Sequence, residues 1–120
     1  MEMDDHGELG LRGEEAAARF LGGHGLQIVA RNWRCRLGEV DIVAREGDTL
    51  VFCEVKTRRG LAFGPPLGAI TPGKAARLRR LAGQWLADGP GHPGPIRIDA
   101  VGIVWHRDGR LEIEHVRGVA

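Results

Sequence analysis

The sequence predicts a single α/β domain, with a mixed central β-sheet flanked by helices in the order α-β-β-β-α-β-β. Three observations carry that expectation. Two segments repeat apolar residues at helical spacing and are closed by glycine-containing stops. Five shorter segments alternate or run apolar between turn signals, as strands do. Three of these follow one another as a meander, and the fourth is reached only after the second helix. A helix crossover after a meander implies a mixed sheet with helices packed on it.

Residues 8–22 read as the first helix, because Leu9, Gly13, Ala16, Ala17, Phe20 and Leu21 recur three and four positions apart. Gly22, Gly23 and Gly25 stop it, and residues 1–7 are expected to be a flexible N-terminus. Leu26 to Trp33 is the first strand, Gly38 to Arg45 the second and Leu50 to Thr57 the third. Glu46-Gly47-Asp48 supplies the hairpin turn between the last two. Residues 59–70 are rich in Gly and Pro without periodicity, so they read as a loop, either a flap over a substrate or a disordered connection. Thr71 is a good N-cap for the second helix, Pro72 suits its first position and Gly89-Pro90 ends it. Its apolar stripe is Leu78, Leu81, Ala82 and Trp85, and Lys74 extends that face. Ile96 to Trp105 and Leu111 to Val116 complete the sheet around Arg107-Asp108-Gly109.

At 120 residues the chain has room for one domain, 1–120, and it shows neither repeat nor linker. Hydrophobic residues at 42% and charged residues at 28% exclude a disordered chain. The formal net charge of +1 hides an uneven distribution. Residues 31–80 carry eleven basic side chains against five acids, whereas residues 1–15 carry six acids against Arg12. The basic block reads as solvated surface or as the footprint of a polyanion. Arg supplies 15 of the 17 basic residues, so Lys56 and Lys74 stand out as places where a compact ammonium is used. Cys35 and Cys53 have no metal-ligand spacing. With an acidic N-terminus and no apolar run of membrane length, they point to a reducing cytoplasm and to free thiols packed in strands. A disulfide between them is the alternative.

Chemistry is concentrated in the hairpin. Strand alternation places Glu39 and Asp41 on one face of the second strand, with Val40 and Ile42 on the other. On the third strand Val51, Cys53 and Val55 point one way, and Phe52, Glu54 and Lys56 the other. Asp41, Glu54 and Lys56 then converge if the charged faces coincide. Two carboxylates and an ammonium suit phosphodiester cleavage. The carboxylates, with the Val55 backbone carbonyl, would hold Mg²⁺ or Mn²⁺, and Lys56 would stabilise charge on the phosphate. The alternative for Glu54 and Lys56 is an ion pair on a solvent-facing strand.

Arg31-Asn32-x-Arg34, Gly38-Glu39-Val40-Asp41, Glu54-Val55-Lys56-Thr57-Arg58 and Arg97-x-Asp99 resemble the YraN family of bacterial proteins. The early Gly13-Glu14-x-x-Ala17 segment does so too, and Lys74 falls where that family carries a helix lysine. The resemblance runs from about residue 10 to 105. It implies the restriction-endonuclease-like superfamily, near the archaeal Holliday-junction resolvases. It also implies a metal site at Asp41, Glu54 and Lys56, with Glu14 as an accessory carboxylate and DNA as partner. Glu39 belongs to the motif without being a standard ligand. Junction-resolving relatives act as dimers, so a homodimer is implied by the resemblance alone.

Other residues keep two readings at this point. Glu14 lies at the border of the first helix's apolar stripe and either leans over the sheet or is an exposed acid serving the helix dipole. Lys74 either favours phosphate at a helix N-terminus or snorkels past apolar surface. Arg31, Arg34, Arg36, Arg58, Arg59, Arg77 and Arg80 either line a phosphate track or are solvated. Trp33 either packs or stacks on a base, while Trp85 and Trp105 read as core. Arg97 and Asp99 share a strand face as a structural ion pair. A nucleic-acid-binding module without turnover, and an assembly protein using the same sheet, are the competing functions.

Overall fold

The computed structural model describes residues 5–62 and 64–119. Helix α1 (Asp5–Gly23) leads into strands β1 (Gln27–Cys35), β2 (Gly38–Glu46) and β3 (Thr49–Arg59). A 3-10 turn (Pro66–Ala69) and helix α2 (Pro72–Asp88) follow, and then β4 (Ile96–Trp105) and β5 (Leu111–Val116). The expected α/β order is therefore present, with one added short turn. Helix α1 begins at Asp5, so residues 5–7, expected to be flexible, are helical; Met1–Asp4 lie outside the described residues. Among the described residues no helix is long and apolar enough to cross a membrane.

One five-stranded sheet runs in the order β1-β2-β3-β4-β5. Among the described residues only β3 and β4, joined through α2, are parallel. The crossover buries one face of the sheet under α2, where Leu78, Leu81 and Ala82 meet Val40, Val43, Phe52 and Ile98. On the other face Ala17 and Leu21 of α1 meet Ile42, Ala44, Val51, Cys53, Val101 and Ile103. The caps of α2 are those read from the sequence. Thr71 Oγ1 accepts the Lys74 backbone N–H at 3.2 Å, with Pro72 next in line. Both cysteines are free, and Cys53 is fully buried.

The sheet departs from simple alternation at a bulge between Ile28 and Ala30 of β1, and again further along the β1–β2 pair. Val40 packs under α2 whereas Ile42 packs under α1, so the two do not share a face as alternation requires. The reversal is shared with β1. Arg31 pairs with Ile42 and Trp33 with Val40, and between them Asn32 adopts a left-handed backbone, φ 52°. Asn tolerates that conformation better than most residues with a side chain. Both strands turn over together at Asn32 and Asp41. Upstream of the Ile42–Cys53 rung no pairing of β2 with β3 continues, although β3 runs on beside β4 to Arg59. The two strands therefore part at Asp41.

Helix α1 lies close to β3 because Gly13 has no side chain. A Cβ there would fall 1.8 Å from Thr57 Oγ1 and 2.9 Å from Thr57 Cβ. Gly13→Ala is expected to destabilise the fold by roughly 1–2 kcal/mol, since overpacking outweighs the gain of about 1 kcal/mol in helix propensity. Gly10→Ala, which meets nothing within 4 Å, should change stability in the opposite direction. Paired urea titrations read both signs.

Candidate functional site

The parting of β2 and β3 leaves the Val55 N–H without a backbone partner on β2. Asp41 Oδ2 takes its place, accepting that N–H at 2.8 Å. A strand residue's N–H and C=O face the same neighbour. The Val55 carbonyl therefore opens into the same gap. Burial pushes the Asp41 carboxyl up to about 7. The Val55 hydrogen bond opposes this, and the charges of Glu14, Glu54 and Glu39 add to it.

Glu14 reaches this gap from α1. It is the tenth residue of the helix, well past the first turn, and half-buried, which settles its two readings in favour of leaning over the sheet. Its carboxyl is raised by burial and by Glu39, and held down by hydrogen bonds with Asn32 and Asp41 and by the Arg31 charge. Glu14 Oε1 and Glu54 Oε2 are both buried without a hydrogen-bond partner. Buried carboxylate oxygens without donors are costly, and a cation relieves several at once.

Alternation along β3 carries Glu54, Lys56 and Arg58 on the face opposite Val55, which packs toward the α1 core. All three are half-buried, and the Nε of Arg58 is buried with no partner. Among the described residues no three His, Cys, Asp or Glu side chains are drawn together into a ready-made cation cage. In kind the donors fit a hard divalent cation, being acidic oxygens and a peptide carbonyl. In placement they are an open set across a gap between strands.

The basic residues divide. Arg31 binds Glu15 at 2.8 Å and Arg34 binds Glu39 at 2.9 Å, so both are engaged within the chain. Arg36, Arg59, Arg77 and Arg80 are exposed, and Lys74 is half-buried at the start of α2. Trp33 packs edge-on against Trp85 with centroids 5.4 Å apart, which assigns it to packing on α2. Trp105 is half-buried with the Arg12 guanidinium 5.8 Å over its ring. Arg97 and Asp99 do form the expected ion pair, at 2.7 Å, and His115 joins it at 2.7 Å.

Sequence reasoning missed Asn32 as a member of the site. The available signal was an Asn inside an otherwise regular strand, a residue depleted there. It also missed the bond from Asp41 to Val55, which depends on two strands parting.

Residues 13–103 match the uncharacterised protein family UPF0102. The chain is 54% identical over 121 residues to a UPF0102 protein of Streptomyces coelicolor, covering 99% of this chain and 93% of that protein. It is 55% identical over 119 residues to one from Streptomyces griseus, covering 98% and 100%. Against one from Parafrankia sp. it is 56% identical over 110 residues, covering 92% and 93%. With most of its length matched in this way, the chain belongs to family UPF0102, which includes the YraN proteins.

Proposed function

We propose that the chain is a divalent-cation-dependent nuclease of the restriction-endonuclease-like superfamily, hydrolysing phosphodiester bonds in branched or otherwise structured DNA. The observation that carries this reading is the strand gap at Asp41, where Glu14 and Glu54 each keep a buried carboxylate oxygen without a partner. Asp41, Glu54, the Val55 carbonyl and Glu14 would hold Mg²⁺ or Mn²⁺, which when bound polarises the phosphate and acidifies water. Asn32 lies beside Glu14, where its amide favours the charged carboxylate near Asp41. The Lys56 ammonium, with no ion pair among the described residues, is free to stabilise charge gathering on the phosphate. Arg58, Arg36, Arg59, Arg77 and Lys74 bind flanking phosphates and set the substrate's register.

A second reading, a nucleic-acid-binding module without turnover, is favoured by the open donor set, which lacks a closed cage of three acids. One experiment separates the two. Duplex, flap, fork and junction DNA are offered to the parent chain and to Lys56→Ala with Mg²⁺ and with Mn²⁺. The nuclease reading expects cleavage that falls about 100-fold or more in Lys56→Ala while binding of the same DNA persists. Salt-sensitive binding with no cleavage of any substrate by either protein would establish the second reading instead.

A further inference from the structure

A cavity of about 470 Å³ lies at the carboxyl ends of the parallel pair β3 and β4, apart from the acidic gap. Its walls include Arg59, Leu61, Trp105, His106 and Arg107. Among the described residues no acid lines it, and the nearby Glu112 is engaged by the His106 ring. Arg59 and Arg107 are exposed and make no ion pair among the described residues. Leu61, a large apolar side chain, is left 56% exposed at the same place.

The frame around this cavity is held by the backbone. Gly60 N–H donates to the Trp105 carbonyl at 3.2 Å, closing the end of β3 onto β4. The β4–β5 turn is closed by His106 N–H to the Arg110 carbonyl at 2.8 Å and by Gly109 N–H to the His106 carbonyl at 2.9 Å. The walls thus combine two unpaired guanidinium forks with an exposed aliphatic side chain and an indole. Guanidinium forks match phosphate geometry, and aromatic rings accept any base by stacking. The volume is in the range of small-ligand sites, roughly 300–1,000 Å³.

We propose that this cavity is a subsite for one nucleotide unit of a single strand, with Arg59 and Arg107 on its phosphate and Leu61 and Trp105 against its base. The inference rests on the nucleic-acid reading above and names a substrate feature for it. Arg59 lies five residues beyond Glu54 on β3, about 16 Å along the strand. DNA cut at the acidic gap would then present an unpaired tail here, so the enzyme would prefer substrates carrying one.

The test uses the full chain without divalent cation, so that nothing is cut. Anisotropy of a labelled thymidine pentanucleotide is followed against salt for the parent, for Arg59→Ser with Arg107→Ser, and for Arg45→Ser with Arg80→Ser, two exposed arginines outside the proposed phosphate contacts. Thermal melts confirm that these surface variants fold. The cavity pair should weaken binding about tenfold or more and lower the salt slope by about 0.7, from one phosphate left unneutralised on a single strand. The Arg45 and Arg80 variant should cost clearly less. Equal losses in the two variants, or no binding by the parent, would overturn the subsite. A pentanucleotide with abasic sugars should bind several-fold more weakly, and equal binding would overturn the base contact. Mg²⁺ calorimetry on the parent is scored separately. A chain that takes up Mg²⁺ but not the strand loses the subsite and keeps the metal site; one that binds the strand but cuts nothing keeps the subsite and loses the nuclease.

Discussion

At pH 8 and without divalent cations, Asp41→Asn should unfold about 10 °C above the parent chain. The reason is that the folded state raises the Asp41 carboxyl to about 7. A carboxyl raised on folding leaves stability intact below its ordinary value near 4 and removes it as pH climbs through about 7. At pH 8 the parent therefore carries a buried charge that costs on the order of 2–4 kcal/mol. Asn removes that charge and keeps an oxygen for the Val55 N–H, so the strand gap should survive. The same substitution should abolish stabilisation by Mg²⁺ or Mn²⁺. In the parent these cations should raise the melting temperature at pH 8 and do so much less at pH 6, where Asp41 is largely protonated and proton and cation compete. Melts at both pH values, with and without cation, check all of this. A variant less stable than the parent at pH 8, or equally stabilised by Mg²⁺, would refute the assignment of Asp41.

That expectation depends on a feature only partly legible in the sequence. Helix α2 was legible at both ends, because Thr71, Pro72 and Gly89 act through bonds within a few residues of themselves. The β2–β3 hairpin was legible for the same reason, Gly47 adopting the φ of 58° that its turn demands. Alternation then succeeded along β3 and failed along β2, since it assumes a ladder that continues. Asn32 and Asp41 turn both strands over together, and no spacing within β2 alone announces that. The 3-10 turn at Pro66–Ala69 was hidden differently. It is seated where a Cβ on Gly102 would come within 2.7 Å of Leu67, so a bare backbone some thirty residues later admits it. As for the site, strand alternation in the hairpin pointed to Asp41 and Glu54, and the family resemblance added Glu14, whose helix position alone left two readings open. Their actual relation, one bond and two partnerless oxygens across a gap, is tertiary.

Asp99→Ala should cost about 3–5 kcal/mol, the range for breaking a buried charge pair from one side. Asp99 is fully buried on β4 and accepts from three neighbours. Arg97 donates Nε at 2.7 Å and Nη2 at 2.9 Å, the His115 ring donates at 2.7 Å, and the Gly118 N–H donates at 3.0 Å. These bonds tie β5 and the following residues to the sheet, and Arg97 extends the tie to Glu46 at 2.8 Å. Burial alone would raise the Asp99 carboxyl, but the Arg97, His115 and Gly118 hydrogen bonds outweigh it and hold the group below its ordinary value. A carboxyl lowered on folding gives stability that is full above about pH 4 and lost as pH falls through the lower folded value. The gap between parent and Asp99→Ala in urea unfolding should therefore be widest near neutrality and narrow below pH 4. Against a typical total of about 5–15 kcal/mol, such a loss leaves the variant near its folding threshold. Asp99→Asn should fall between the two, because the amide keeps one acceptor oxygen but turns an N–H₂ toward donors. A loss below about 1 kcal/mol for Asp99→Ala would show that this buried tie is worth no more than a surface pair.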